Sequence, residues 1–139
     1  MPNWQPDWTD VQFDHGAAHE YADACRRASA TVRQVADERR NLATEAIVDW
    51  EGPNRDRFDA DLVRWNFEAT TVADRLIHTA TSVEAHAEAA RREQAQRELH
   101  RSRWWAESRA EEQATRDVAE RQAAERQAAE RQMAETASK

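Results

Sequence analysis

Glycine and proline are scarce in this chain, since 139 residues hold only two of the first and three of the second. Because these residues punctuate turns, their scarcity leaves few loops and disfavours a fold made of many short strands. Alanine, arginine, glutamate and glutamine, all good helix formers, are abundant instead. A mean hydropathy of −1.04 and 34% charged residues leave little material for a core. The composition predicts an all-α protein with a thin core.

Long apolar runs are also lacking, and Cys25 is the only cysteine. One cysteine cannot form an intramolecular disulfide, so the cysteine content does not indicate a compartment. The first residues contain no basic stretch followed by an apolar run, and no later window is apolar enough to span a bilayer. We expect that the protein, if it leaves the cell, does so without an ordinary signal peptide. Contact with a membrane surface is left open.

A concentration of positive charge is missing too, because the net charge is −7. Residues 1–90 carry 9 arginines against 17 acids, and residues 91–139 carry 11 basic against 10 acidic residues. Neither part forms the basic patch that nucleic-acid binding requires. We therefore expect no nucleic-acid partner.

The chain begins with an irregular, aromatic segment over residues 1–15, after which Asp14 is placed to cap a helix that starts near Gly16. Apolar residues then recur in steps of three and four, with Arg39 as the one charged interruption. This spacing predicts a helix with one buried seam, as in a coiled coil. The positions of this seam are Tyr21, Cys25, Ala28, Val32, Val35, Leu42, Ala46 and Ile47.

The helical pattern breaks at Gly52-Pro53 and resumes at once. Glycine accepts the left-handed conformation that ends a helix, and proline suits the first turn of the next one. A short connection makes the two helices antiparallel, so residues 16–95 are predicted to form a helical hairpin. The second seam consists of Phe58, Leu62, Trp65, Ala69, Val72, Leu76, Ala80, Val83, Ala87 and Ala90.

Residues 96–139 keep helix-forming residues but lose the apolar face. Residues 119–132 repeat every five residues, and five steps of about 100° rotate each copy by about 140° around the helix axis, so no apolar stripe forms. We predict a charged, solvated, extended C-terminal helix, with partial disorder of this tail as the alternative.

A lone pair of helices can bury only one strip, yet the second helix offers apolar side chains over a wider face. Two hairpins that associate into a four-helix bundle would bury that surface, because each helix then has two neighbours. A monomer with an exposed apolar edge is the alternative. The predicted partner interface consists of Trp50, Phe58, Leu62, Trp65, Val72 and Leu76.

The turn Trp50-Glu51-Gly52 between two helices, followed by Phe58 and Trp65, resembles the WXG family of small, ESAT-like type VII secretion substrates of actinobacteria and related Gram-positive bacteria. An arginine-rich composition whose one lysine is Lys139 is similar to that of high-GC actinobacterial proteins. The resemblance covers residues 15–95 and implies hairpins that pair, with themselves or with a sister protein, into four-helix bundles. It implies that the tryptophan and the glycine of the turn lie where a groove forms against the partner.

The resemblance also implies cytoplasmic synthesis followed by export, folded, through a membrane ATPase to the cell surface or the medium. Many members carry a tyrosine and, four residues later, an acid just after the second helix. Here Glu93 corresponds to the acid, but no tyrosine follows Tyr21. A partner that supplies the export signal would account for this, as would a role as the half of a pair that carries no signal or as a cytosolic companion. A toxin or another effector and the secretion ATPase are the further partners implied.

Trp104 and Trp105 are the best candidate anchor in the tail, because tryptophans surrounded by charge are typical of interface hot spots. The alternative is that their indoles fold back onto Trp4, Trp8 or the second helix. Trp50 has a similar alternative, in which it covers the end of its own hairpin by packing on Val48, Phe58 or Leu62.

No cofactor, metal or catalytic constellation is indicated. His15 and His19 share a helical face with the spacing of zinc ligands, but no further ligand is placed with them. The Asp56, Asp59 and Asp61 carboxylates suit a helix start better than a cation site. We predict a non-enzymatic protein that acts by association in type VII secretion. The alternatives are a cytosolic coiled-coil scaffold in which residues 91–139 pair with a partner helix, and a metal-dependent enzyme.

Overall fold

A computed structural model of the chain describes residues 1–138, which form two α-helices and no strand. Helix α1 comprises His15–Ala46 and helix α2 comprises Pro53–Ala137. The Asp14 carboxylate accepts a hydrogen bond from the Ala17 backbone N–H at 2.9 Å, which satisfies an N–H group that has no partner within the helix. The predicted all-α helical hairpin with an extended C-terminal helix is confirmed. The pairing of two hairpins into a bundle stays a prediction.

The chain divides into two compact units. One unit is the hairpin, Gln12–Arg92, which holds all of α1 and the first part of α2. The other unit combines Met1–Val11 with the part of α2 from Glu93 onward. Within residues 1–138, no helix combines the length and the apolar character that crossing a bilayer requires.

Small side chains form the core of the hairpin. Ala22 on α1 and Ala73 and Ala80 on α2 are fully buried. The buried Ser29 hydroxyl donates to the Ala73 carbonyl oxygen at 2.9 Å. Side chains this short let the two backbones approach closely, so the hairpin gains its contacts from proximity and little from large buried groups.

The predicted first seam is rotated in the structure. Tyr21, Val35 and Leu42 were expected inside, but they are 56%, 50% and 67% exposed. Ala28 and Ala46 are exposed as well, and the contact with α2 is made by residues one position further along, including Ala22, Ser29 and Ala43. The prediction was wrong at these five positions, whereas Cys25 and Ile47 are buried as predicted. Close packing accounts for the exchange of Tyr21 and Leu42 for the smaller Ala22 and Ala43, and the exposure of Ala28 and Ala46 follows from the rotation of the seam.

The second seam is largely as predicted. Ala80 and Ala87 are buried, and Leu76 packs against the cluster of Ala22, Cys25 and Ala80. Val72 is the exception, since it is 47% exposed while the adjacent Ala73 is buried. Both helices therefore leave apolar side chains outside the core of the hairpin.

Candidate protein interface

The turn between the helices is built on Gly52. Its φ of +101° lies in a region that side chains disfavour, which is the conformation predicted for this glycine. Its carbonyl oxygen accepts hydrogen bonds from the backbone N–H groups of Arg55 and Asp56 at 3.0 and 3.2 Å, and these bonds start α2. At the other side, the Trp50 N–H donates to the Ile47 carbonyl at 3.1 Å.

Arg55 fastens the turn, a role that the sequence analysis missed. Its Nη1 donates to the carbonyl oxygens of Ile47 and Trp50, both at 2.7 Å, and so satisfies acceptors that the end of α1 leaves without helical partners. Its Nε donates to the Asp59 carboxylate at 3.0 Å. The available signal was an arginine in the first turn of α2, where a positive charge opposes the helix dipole and so needs another reason.

Three aromatic rings follow the turn along one side of the hairpin. The Trp50 ring lies 5.4 Å from the Phe58 ring, and the Phe58 ring lies 6.3 Å from that of Trp65. The Arg39 guanidinium from α1 stands 5.7 Å above the Trp65 ring. Trp50 thus packs on Phe58, as expected from the alternative in which it covers the end of its own hairpin. It still keeps 38% of its surface exposed.

Beyond these rings, both helices line a shallow apolar groove of about 390 Å³. Val32 and Val35 come from α1, and Trp65, Ala69 and Val72 come from α2. Thr31, Arg39 and Glu68 complete the lining. Tyr21 and Leu42 are placed fourteen residues before and seven residues after Val35, so they continue the apolar stripe of α1 in both directions. We call this surface the groove face.

Ion pairs between the two helices lie on the other side of the hairpin. Arg26 Nη2 donates to Glu84 at 2.8 Å, and Arg33 pairs with Asp74. The bond from Arg26 holds the pKa of the Glu84 carboxyl below its ordinary value. A second, more polar depression on the hairpin is lined by Arg33, Ala36, Asp37, Arg40, Asn66, Ala69 and Thr70. This side also carries exposed apolar residues, because Val63 and Phe67 lie seven residues before Thr70 and Asp74 on α2 and are 70% and 72% exposed. The groove face differs in that apolar side chains of both helices line one depression there.

The six residues predicted for the partner interface have different surroundings. Trp50, Phe58 and Trp65 form the aromatic row, and Val72 lies in the groove. Leu62 is half-buried, and Leu76 packs on the core of the hairpin. The structure thus brings Trp65 and Val72 to one surface but gives Leu76 a role inside the hairpin.

The tryptophans of the tail contact the start of the chain, as in the alternative prediction that their indoles fold back onto Trp4 and Trp8. The Trp8 ring lies 5.5 Å from that of Trp104 and 5.9 Å from that of Trp105. The Trp104 indole N–H donates to the Trp4 carbonyl at 2.9 Å. Trp104 is buried, whereas Trp105 is 52% exposed. Glu93 accepts a hydrogen bond from Arg97 Nε at 2.9 Å.

Three of the five residues considered as metal ligands pair with other side chains, whereas His15 Nδ1 is buried without a hydrogen-bond partner among the described residues. His19 lies 3.2 Å from the Asp23 carboxylate, Asp59 pairs with Arg55, and Asp61 pairs with Arg64. In the described part of the chain, no three potential metal-ligating side chains come together.

Comparison of the chain with protein-family models, with curated proteins and with solved structures finds no match. The resemblance to the WXG family therefore rests on the turn and the aromatic residues of this sequence alone.

Proposed function

We propose that the chain is a non-enzymatic interaction protein whose hairpin binds a second hairpin through the groove face. The observation that supports this is the groove, which apolar side chains of both helices line together. The groove face exposes Tyr21, Val35, Leu42 and Val72 by 40% or more of their surface, and the ion pairs between the helices lie on the other side. Exposed apolar residues at heptad spacing on neighbouring helices are the arrangement that helical bundles bury.

The partner is a second copy of the chain or a sister hairpin, and the biological setting that we propose is type VII secretion. The protein would be a substrate or an effector escort, made in the cytoplasm and exported without a signal peptide. This part of the proposal rests on the Trp50-Glu51-Gly52 turn and on its resemblance to the WXG family. A toxin and the secretion ATPase would then be further partners.

Sedimentation of the purified chain at micromolar concentration tests the association. We expect a mass of about twice 16.0 kDa, or a stable complex when a sister hairpin is co-expressed. A charge placed in the groove by Val35→Glu or Val72→Glu should dissociate the assembly, because burying an unpaired carboxylate is costly. Thr70→Glu, in the polar depression, is the matched control and should leave the mass unchanged.

Export is tested separately by fractionating a producing strain with an active secretion ATPase. Recovery outside the cell that is lost on Trp50→Ala would support the proposal. A helical monomer, together with unchanged export of the Trp50→Ala variant, would contradict it.

The second candidate is a cytosolic scaffold, and the observation that favours it lies in α2. From Val118 to Ser138 every side chain is exposed, and the chain is helical through Ala137. This helix is free to pair with another helix while the hairpin supports it. Recovery only in the cytosol, together with an assembly that is lost on truncation after residue 117 and insensitive to Val35→Glu, would favour this candidate.

A further inference from the structure

Residues 1–11 contain no helix or strand and lie along α2. We call them the docked segment, and we call the α2 residues that hold it the docking site. The main residues of the docking site are Gln94, Arg97, Arg101, Trp104, Trp105 and Glu107. Its contacts are those of a peptide-binding site, and none of them depends on the covalent link between the segment and the helix.

The docking site holds the backbone of the docked segment. Arg101 donates from Nε to the Asp7 carbonyl at 2.9 Å and from Nη2 to the Thr9 carbonyl at 2.6 Å. Arg97 Nη1 also donates to the Thr9 carbonyl, at 3.1 Å. The Gln94 side-chain oxygen accepts the N–H of Val11 at 2.9 Å. Backbone groups that cannot pair within a strand or helix are thereby satisfied along the segment.

The docking site also contacts the acidic side chains of the segment. Asp7 lies 2.9 Å from Arg97, and Asp10 lies 2.8 Å from Arg101. Gln94 donates to Asp10 at 3.0 Å as well. The two carboxylates are three residues apart, and the two guanidiniums are four residues apart on one face of α2. This match of spacing and charge selects an acidic ligand.

Tryptophan is selected at two further positions. The Trp8 ring contacts both indoles of the tail, at 5.5 and 5.9 Å. The Trp4 indole N–H donates to the Glu107 carboxylate at 2.8 Å. The amino group of Met1 pairs with Glu111. A ligand therefore fits best when it carries tryptophans four residues apart.

The docking site is largely covered by this segment. The side chains of Arg97 and Arg101 are only 24% and 19% exposed. The Ser108 hydroxyl, four residues after Trp104, is buried and has no hydrogen-bond partner among the described residues.

We infer that the docking site is a peptide-binding site for non-helical, acidic segments with two tryptophans, and that residues 1–11 occupy it as a tethered ligand. The ligand class follows the pattern of Trp4, Asp7, Trp8 and Asp10 in the docked segment. A tether keeps its ligand at an effective concentration of about 1 mM, so a separate peptide must compete with it. The inference does not depend on the function proposed for the groove face.

A peptide of residues 1–12 with a fluorophore at its carboxyl end is the probe. It is titrated with the full chain carrying Trp4→Ala and Trp8→Ala, which weakens the tethered competitor. Fluorescence anisotropy should show saturable binding to this variant. Binding to the unchanged chain should be about tenfold weaker or more, because the tethered segment competes for the site.

Arg101→Gln in the same double-variant chain should weaken binding of the peptide about tenfold or more, since charge-assisted hydrogen bonds are lost. Arg109→Gln, an exposed change on the same helix, is the matched control and should leave affinity unchanged. A peptide with Trp8→Ala should also bind more weakly. Failure of the probe to bind the helical double variant, or equal binding after Arg101→Gln, would overturn the inference.

Discussion

Arg55 Nη1 donates a hydrogen bond of 2.7 Å to the carbonyl oxygen of Trp50, across the turn that joins the two helices. The same nitrogen reaches the Ile47 carbonyl, so one guanidinium holds the end of α1 against the start of α2. Trp50 is therefore positioned by its backbone, and its ring is free to pack on Phe58. Its exposed remainder lies at the end of the hairpin.

Replacing Arg55 with alanine should destabilise the hairpin. The carbonyls of Ile47 and Trp50 lose a charged donor, and we expect the free energy of unfolding to fall by about 1–2 kcal/mol. Urea unfolding followed by circular dichroism measures this change. Arg57→Ala is the control, because Arg57 is exposed and lies in the same turn of helix. Equal unfolding curves for the two variants would show that Arg55 does not fasten the turn.

Gly52→Ala should also destabilise the hairpin, for a conformational reason. No atom lies within 4 Å of an added Cβ, so space is available, but the φ of +101° is strained for alanine. We expect a loss of about 1–2 kcal/mol in thermal or urea unfolding. Gly16→Ala is the matched control, since its Cβ would make only an ordinary 3.5 Å contact with Asp14. A cost at Gly16 equal to that at Gly52 would refute the conformational explanation.

The turn could be predicted from the sequence because glycine and proline impose local conformations. The helical hairpin followed from two apolar periodicities separated by that turn. The rotation of α1 could not be predicted, because Ala22 and Tyr21 both fit the same periodicity, and only the close approach of α2 decides between them. Arg55 was missed for a similar reason, since its acceptors are created by the fold of the turn.

The tail shows the same limit of local reasoning. Its helical character is evident from composition. The sequence around Trp104 and Trp105, however, is compatible both with an exposed anchor for a partner and with indoles that fold back onto the chain. The contacts with Trp8 decide between these, and they join residues almost a hundred positions apart. The hydrogen bonds of Arg97 and Arg101 to backbone carbonyls leave no pattern in the sequence at all.

Because the helices are in close contact, we expect that a larger side chain at the interface destabilises the hairpin. Ala80 is fully buried against α1, so Ala80→Leu should force the helices apart and lower the free energy of unfolding by about 1–3 kcal/mol. Ala85→Leu, at an exposed position of the same helix, should be neutral. Thermal unfolding followed by circular dichroism distinguishes the two. An equally stable Ala80→Leu variant would mean that the interface has room for larger residues.

The docked segment should release in acid. Hydrogen bonds from Thr9 lower the pKa of Asp7, and those from Gln94 and Arg101 lower that of Asp10. Arg103 and then the Trp4 indole lower the pKa of Glu107. Each of these carboxyls has a lower pKa when the segment is docked than when it is released. It therefore stabilises the docked state at pH values above the released-state pKa of about 4, and this stabilisation is lost as the pH falls through the docked-state pKa.

Acrylamide quenching of tryptophan fluorescence measures this release in a chain that carries Trp50→Phe and Trp65→Phe. The indoles that remain all belong to the unit formed by residues 1–11 and the part of α2 from Glu93 onward. Quenching should increase as the pH falls below about 4, where these carboxyls become protonated. Asp10→Asn removes one charged acceptor and should increase quenching already at neutral pH, whereas the exposed Glu112→Gln should not. Because the Glu84 carboxyl of the hairpin also has a lowered pKa, circular dichroism must be recorded in parallel. A rise in quenching that only accompanies loss of helix would assign the acid transition to general unfolding, and constant quenching down to the loss of helix would contradict the release of the segment.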